Sequence, residues 1–372
     1  RTAFQLLSQH LDLVCEAALD APCAPVPALG ELARLVGMHA TTFLQTTLSS
    51  TLPLLLVQHA LGKPEAGTAM EAMAQATSQS VPTMCLSHVS DLFHHIFLQP
   101  AAVRDASLQS LLTLLGTRSV TVASLLRSRL HDVLGWLVVH LGSDECRAQA
   151  LEGLEFVRTT VATSGKWRGM DLTAFLQEEV LAILTWVNDD LSGVHGKLRP
   201  GRRAMSVRSI GALVQQIGAV AARVVPQVLA SLTSTLQQSD LALPTLESWL
   251  CVVQELRGPD LGAIIGPTTA ALLAAWPRLD YTERQVAARV LRSAVMERTT
   301  DLSFLDDVPS LDAIADDVPD VAQRIRATRR VWDDEACFQH ILERVSNDRT
   351  AICVQSLHEL RAFLHERRAC IS

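Results

Sequence analysis

Residues Val207 to Leu236 read VRSIGALVQQIGAVAARVVPQVLASLTSTL and carry a clear helical pattern. Apolar residues recur at intervals of three and four positions, at Ile210, Leu213, Val214 and Ile217, and again at Val225, Val228, Leu229, Leu232 and Leu236. This is the period of an α-helix with one apolar face. The stretch therefore predicts two amphipathic helices that are separated by a turn near Gly218.

The same period continues along most of the chain. Short breaks interrupt it at 22–27, 62–64, 142–144, 258–260 and 277, where glycine, proline and polar residues gather. We find no pair of alternating segments joined by a tight hairpin turn. Short loops between amphipathic helices favour antiparallel neighbours, so the sequence predicts an all-α fold, a HEAT/armadillo-like α-solenoid of antiparallel helix pairs, with about sixteen helices.

A weak internal repeat supports a solenoid. The three copies begin at Val103-Arg104, Cys146-Arg147 and Val207-Arg208, and each continues with a small residue followed by leucine. These residues are Ser107, Leu108 and Leu111 in the first copy, Ala150, Leu151 and Leu154 in the second, and Gly211 and Leu213 in the third. The first two copies start 43 residues apart, at 103 and 146. This falls within the repeat length of HEAT and armadillo units, about 40 to 47 residues. We expect the small residue to allow close helix approach and the arginine stem to lie along the seam with its charge outward. A weaker copy follows Asn347-Asp348, with Cys353 in place of the arginine.

Composition excludes several broad classes of protein. Apolar residues make up 48% of the chain and aromatic residues 4%, which suits a helical core better than a sheet sandwich. The net charge of −7 argues against a chain-wide nucleic-acid surface, and direct nucleic-acid binding is not expected. The uncharged stretch Leu35 to Gly62 contains Pro53 and two histidines, so a membrane span is not expected either.

The cysteines and the two ends of the sequence bear on the cellular compartment of the protein and on whether this chain is part of a longer one. Eight cysteines without a C-x-x-C pair predict a reduced, intracellular protein. No secretory signal pattern is present at the N-terminus. The chain begins at Arg1 and stops within a helical pattern at Ser372, so we expect a segment of a longer protein.

Catalytic and metal-binding patterns are missing from the sequence. Phosphoryl transfer needs a phosphate-binding loop and metal-binding acids, but no G-x-x-x-x-G-K-[ST], Asp-Phe-Gly or His-Arg-Asp pattern is present. No G-x-S-x-G is present, and His131 and Asp132 should point in different directions on a helix. Cys85, His88, His94 and His95 could suggest zinc, and Cys85, His88 and His95 would share one helical face, but no fourth ligand recurs at finger spacing. We therefore predict no catalytic residue, no cofactor-binding residue and no metal ligand.

Two charged segments divide the chain. Residues 197–203 are basic, and we interpret them as a solvated linker, with a nucleic-acid contact, a localisation signal or phosphorylation of Ser206 as the alternatives. Residues 301–320 contain Asp-Asp-Val-Pro twice. The arginines that follow this acidic segment, at Arg324, Arg326, Arg329 and Arg330, are expected to pair with it.

The unit between these two segments resembles a known domain. The runs Val207–Gly218, Val225–Leu236, Leu246–Trp249, Leu261–Gly266 and Leu272–Pro277 are similar to the UME domain of ATR-type protein kinases. Its signature residues here are Gly218, Pro226, Trp249, Gly262, Gly266, Trp276 and Pro277. Trp249 shares a helical face with Leu246, Val253 and Leu256, so we predict a core anchor, with a partner-facing side chain as the alternative. The glycines are interpreted as helix caps or points of close approach.

The resemblance extends to the flanks and implies a domain order. Residues 1–195 would be HEAT-like repeats, 196–206 a basic linker, 207–300 the UME domain, 301–320 an acidic Asp/Pro linker and 321–372 further HEAT-like helices. The family is a group of serine/threonine kinases of the DNA-damage checkpoint, whose catalytic domain lies far toward the C-terminus and is absent from this sequence.

The resemblance also implies a function. It implies a non-catalytic scaffold segment in the nucleus, with the kinase's adaptor subunit and a second kinase copy as candidate partners. The alternative is a stand-alone HEAT-repeat adaptor or transport factor without a kinase domain.

Overall fold

The computed structural model describes residues 41–116, 120–163, 165–194, 201–256, 259–296, 311–345 and 357–364. Every regular element in these ranges is helical, and none of them is a strand. The chain divides into two compact units, residues 1–224 and 225–372. The predicted all-α fold is confirmed.

The first unit contains ten described α-helices and one 3-10 helix. They are α1 (Thr41–Ala60), α2 (Pro64–Ala76), α3 (Val81–Ser87), α4 (Val89–Ile96), α5 (Ala101–Leu115), α6 (Val122–Ser128), α7 (Leu130–Leu141), α8 (Arg147–Val161), α9 (Leu172–Leu191), α10 (Arg202–Ile217) and the 3-10 helix Gly218–Val224. Each helix packs mainly on helices near it in the sequence, and α7 contacts α8, α9 and α10. This is the packing of an α-helical repeat array.

The second unit contains five described α-helices and two 3-10 helices. They are α11 (Val225–Leu236), α12 (Ala242–Glu255), α13 (Pro259–Ala275), the 3-10 helix Trp276–Arg278, α14 (Tyr281–Met296), the 3-10 helix Leu311–Ala313 and α15 (Pro319–Val345). Residues 357–364 are also helical. Helix α14 packs against α12, α13 and α15. The weak fourth repeat copy at Asn347-Asp348 lies outside the described residues.

Helix α1 accounts for most of the uncharged stretch that raised the question of a membrane span. Its apolar residues are buried against α2, α4 and α5, and include Leu48, Leu52, Leu55 and Leu56. In the described part of the chain, no helix is both long enough and apolar enough to cross a bilayer. Residues 35–40 lie outside the described ranges.

The repeat residues occupy the predicted places. Ser107 and Ala150 are completely buried, as a small residue between close helices should be. The Arg104 guanidinium lies over the ring of Phe156, 4.7 Å from its centroid, and therefore bridges α5 and α8. The Arg147 Nε donates to the Leu141 carbonyl at 3.0 Å. The arginine stem lies along the helix seam in these two copies, as predicted. The expectation that the charge points outward is wrong for Arg104, whose side chain is only 11% exposed.

Both predicted linkers end earlier than their sequence suggested. Helix α10 begins at Arg202, so residues 202–206 are helical rather than linker, and Gly201 enters the helix with a φ of 86°. Helix α15 begins at Pro319, inside the predicted acidic linker. Residues 195–200 and 297–310 lie outside the described ranges. At both helix starts a charged residue pairs with a residue of another helix, Arg202 with Asp190 of α9 and Asp320 with Arg292 of α14. The composition of the linkers does not show these partners.

Candidate functional site

Helix α9 carries two acidic residues on its buried face. Glu179 and Asp190 are 4% and 1% exposed, and they share that face with Ile183, Trp186 and Val187. The spacing of 179, 183, 186 and 190 follows the helical period, so both carboxylates lie in an apolar stripe. A buried charge is costly unless it is paired and hydrogen-bonded, and both carboxylates have such partners.

Glu179 is held by three donors. Lys166 Nζ lies 2.7 Å from Glu179 Oε1, and Trp167 Nε1 donates to the same oxygen at 2.7 Å. His131 Nε2 lies 3.0 Å from the other oxygen, Oε2. Burial raises the pKa of this carboxyl, but the hydrogen bonds from Lys166, Trp167 and His131 outweigh it and hold the pKa below its usual value. Glu179 therefore joins α7, α9 and the loop that precedes α9.

Asp190 is held by the first turns of α10. Arg202 Nη2 and Nε lie 2.8 and 3.1 Å from Asp190 Oδ1, and the Ser206 hydroxyl donates to Oδ2 at 2.6 Å. Ser206 is completely buried, so its interpretation as a phosphorylation site is wrong. The solvated-linker interpretation is also wrong for Arg202, because its guanidinium neutralises an acid on α9.

Aromatic and histidine side chains of α4, α7 and α9 pack against one another in the first unit. His94 stacks on Trp136 with ring centroids 4.7 Å apart, and the centroids of the Trp136 and His140 rings are 3.9 Å apart. Trp186 Nε1 donates to Asp132 Oδ1 at 2.9 Å. Burial lowers the pKa of His94 to about 4, although the nearby charge of Asp132 opposes that change.

The histidines and Cys85 do not form the arrangement that a zinc site needs. Cys85 lies in α3 and His95 in α4, and the helical conformation is interrupted between them at His88. The three residues therefore do not share one helical face, contrary to the expectation. Within the described ranges, no group of three or more potential metal ligands comes together. His131 and Asp132 do point apart, toward Glu179 and Trp186 respectively, as expected for neighbours on a helix.

In the second unit, Trp249 is a core residue. It is completely buried on α12 together with Leu246 and Val253, which confirms the predicted apolar face for these residues. Leu256 is buried as well but follows the end of the helix. Trp249 Nε1 donates to Thr268 Oγ1 of α13 at 3.0 Å. Because the whole side chain is enclosed, the partner-facing alternative is not supported in this structure.

The other signature residues have different roles. Gly218 ends α10 with a φ of 61°, so its interpretation as a helix cap is confirmed. Gly262 and Gly266 lie inside α13, so they do not cap a helix. Pro226 lies in the first turn of α11 and is exposed, as is Pro277 in the 3-10 helix after α13.

Trp276 connects the end of α13 to the acidic segment. The side chain is buried, and its Nε1 donates to Asp317 Oδ2 at 2.9 Å. Arg284 lies 3.4 Å from the same oxygen, and Arg292 pairs with Asp320 at 2.8 Å. The prediction that the arginines after the acidic segment neutralise it is wrong for these two aspartates, since their partners lie on α14.

Residues 175–276 match the UME (NUC010) domain. The UME match starts in α9, contains Glu179, Trp186 and Asp190, and ends at Trp276. It overlaps the predicted range 207–300 and contains every signature residue except Pro277, which follows directly. No curated protein matches this chain. The predicted UME resemblance is therefore confirmed as a domain match over about a quarter of the chain.

Sequence reasoning missed Glu179 and Asp190, which the UME match includes. A signal was present, because both acids stand in the positions of an apolar helical stripe. An acid in such a position predicts a buried charge and therefore a partner. The identity of that partner could not be read from α9 itself.

Proposed function

We propose that this chain is a non-catalytic helical scaffold segment of an ATR-like serine/threonine protein kinase. The observation that carries the proposal is the UME match at residues 175–276 within an all-helical chain. UME domains occur in proteins related to the phosphatidylinositol-3-kinase-like kinases. The flanking helices support the same assignment, because they resemble the helical repeats that surround UME in ATR-type kinases.

The chemistry of the polar clusters supports a structural role for this segment. Glu179 accepts from Lys166, Trp167 and His131, and Asp190 accepts from Arg202 and Ser206. A general base needs an acceptor site facing a substrate. These carboxylates instead use their oxygens to join neighbouring helices, which is the role expected of a scaffold.

The finer parts of the proposal concern partners and location. In a helical repeat array, side chains along the exposed helices and loops provide an extended binding surface. We propose that this surface contacts the adaptor subunit of the kinase, or a second kinase copy, and that the protein acts in the nucleus at the DNA-damage checkpoint. The resemblance to ATR-type kinases supports each of these points.

The direct test is to sequence the transcript beyond the codon for Ser372. We expect the reading frame to continue through further helical repeats into a kinase domain with an Asp-Phe-Gly motif. A reading frame that ends without such a domain contradicts the proposal and favours a stand-alone HEAT-repeat adaptor or transport factor.

A second test examines the non-catalytic part of the proposal. Millimolar Mg-ATP should leave the melting temperature of the 372-residue chain unchanged. A nucleotide site with a Kd near 10 μM would stabilise the chain by more than about 2 kcal/mol under these conditions. A saturable increase of that size in thermal stability would identify a nucleotide site and contradict the non-catalytic assignment.

A further inference from the structure

The loop between α8 and α9 presents a short basic and aromatic sequence. It reads Gly165-Lys166-Trp167-Arg168-Gly169, and the two glycines have φ values of 87° and 79°. These angles lie in the left-handed region, which glycine adopts without steric cost. The two glycines therefore shape a compact turn that carries the lysine, tryptophan and arginine between them.

Buried contacts hold this loop in place. Trp167 and Lys166 both bond to Glu179, which is 4% exposed. At the end of the loop, Arg158 Nη1 donates to the Met170 carbonyl at 2.7 Å. A surface loop fixed in this way loses little conformational entropy when a ligand binds, and preorganisation of this kind raises affinity.

A cleft of about 410 Å³ lies between this loop and the junction of α6 and α7. Its lining includes the cationic side chains of Arg127, Arg129 and Lys166. All three residues are exposed or half-exposed. No hydrogen bond or ion pair joins the Arg129 guanidinium to another residue that the structure describes.

The acidic residues of the cleft are occupied by internal contacts. Glu179 binds the loop, and Asp132 accepts from the Trp186 indole. Lys166 is paired with Glu179 and with the exposed Glu178. The cations that the cleft offers to a ligand are therefore Arg129 and Arg127, whose Nη2 also donates to the Val161 carbonyl and to Thr163 Oγ1. This contrasts with the whole chain, which has a net charge of −7.

We propose that this cleft docks an acidic peptide segment of a protein partner. Arginine side chains bind carboxylates through paired N–H groups, and the half-buried Trp167 adds an apolar contact at the edge of the cleft. The inference rests on the proposed scaffold function, of which it names one partner surface. A short peptide experiences mainly the charges within a Debye length, about 8–10 Å, whereas a long nucleic acid would also meet the acidic remainder of the chain.

The test measures binding of a fluorescently labelled, glutamate-rich peptide to the 372-residue chain by anisotropy. We expect saturable binding that weakens as salt rises from about 50 to about 500 mM. Arg129→Glu should weaken binding about tenfold or more, since it places a like charge against the peptide. Arg129→Lys should retain most of the affinity, because the charge remains.

The matched control is Arg326→Glu, an equal charge change at an exposed residue of the second unit. It should leave peptide affinity unchanged. Equal weakening by the two charge reversals would overturn the proposal, as would equal binding of a lysine-rich peptide. Binding of a single-stranded oligonucleotide in place of the acidic peptide would overturn it in favour of a nucleic-acid contact. Because the isolated chain is used, the result does not depend on whether a kinase domain follows Ser372.

Discussion

The Arg202 guanidinium contacts the buried Asp190 carboxylate through two nitrogens, with Nη2 and Nε 2.8 and 3.1 Å from Oδ1. The pair joins the last turn of α9 to the first turn of α10, across the segment that the sequence presents as a basic linker. Asp190 is 1% exposed, whereas the Arg202 side chain keeps 31% of its surface exposed. The start of α10 is therefore fixed by a charge that was already buried on the preceding helix.

Arg202→Ala should lower the free energy of unfolding by about 2 kcal/mol. Breaking a fully buried pair costs about 3–5 kcal/mol because a charge stays buried without a partner, and the partial exposure of Arg202 reduces that cost. Urea unfolding followed by circular dichroism measures the change. Arg326→Ala, at an exposed arginine, should have no measurable effect. Equal stability of the two variants would show that Asp190 does not need Arg202.

Trp249→Ala should destabilise the second unit by about 3–5 kcal/mol, the usual cost of removing a large buried side chain. Thr268→Val should cost less, about 1–3 kcal/mol, because it leaves the buried indole N–H without its acceptor while the volume is nearly unchanged. Denaturant unfolding of both variants gives the two values. A loss below about 1 kcal/mol for Trp249→Ala would contradict its place in the core.

Gly142→Ala should destabilise the first unit by about 1–3 kcal/mol or more. A Cβ at this position would collide with the backbone carbonyl oxygen of Met205 in α10, which cannot move without shifting that helix. The control is Gly67→Ala inside α2, where the added Cβ would lie 3.4 Å from His59 Cδ2, an ordinary contact. That substitution should stabilise the protein by about 0.5–1 kcal/mol, because alanine favours the helix. Thermal unfolding of the two variants should therefore shift in opposite directions.

The buried His94 should make the protein less stable in acid. Its folded pKa of about 4 lies below the unfolded value of 6.5, so between these pH values the unfolded chain binds more protons. Stability should therefore fall as pH decreases through this window. His94→Phe keeps an aromatic ring against Trp136 and should reduce this loss. Part of the loss should remain, because burial also lowers the pKa of His95 and of His140. His358→Gln, at an exposed histidine, should not reduce the loss, and unfolding midpoints at pH 7 and pH 4.5 compare the three proteins. An unchanged pH dependence in His94→Phe would contradict the assignment.

The sequence by itself determined the helices, the burial of Trp249 and the small residues between close helices. These properties follow from the period of apolar residues and from side-chain size, which are local quantities. The match at residues 175–276 confirmed the resemblance to the UME domain. The two buried acids of α9 were also visible as charges in an apolar stripe.

Only the tertiary structure decided which side chains neutralise those acids. Glu179 is bound by Lys166 and Trp167 of a loop and by His131 of α7, and Asp190 by Arg202 and Ser206 of α10. The composition around Arg202 predicted a solvated segment, but the cost of an unpaired buried charge outweighs local polarity and draws the arginine to Asp190. Pairing across helices depends on how the helices pack, and no spacing within a single helix contains that information.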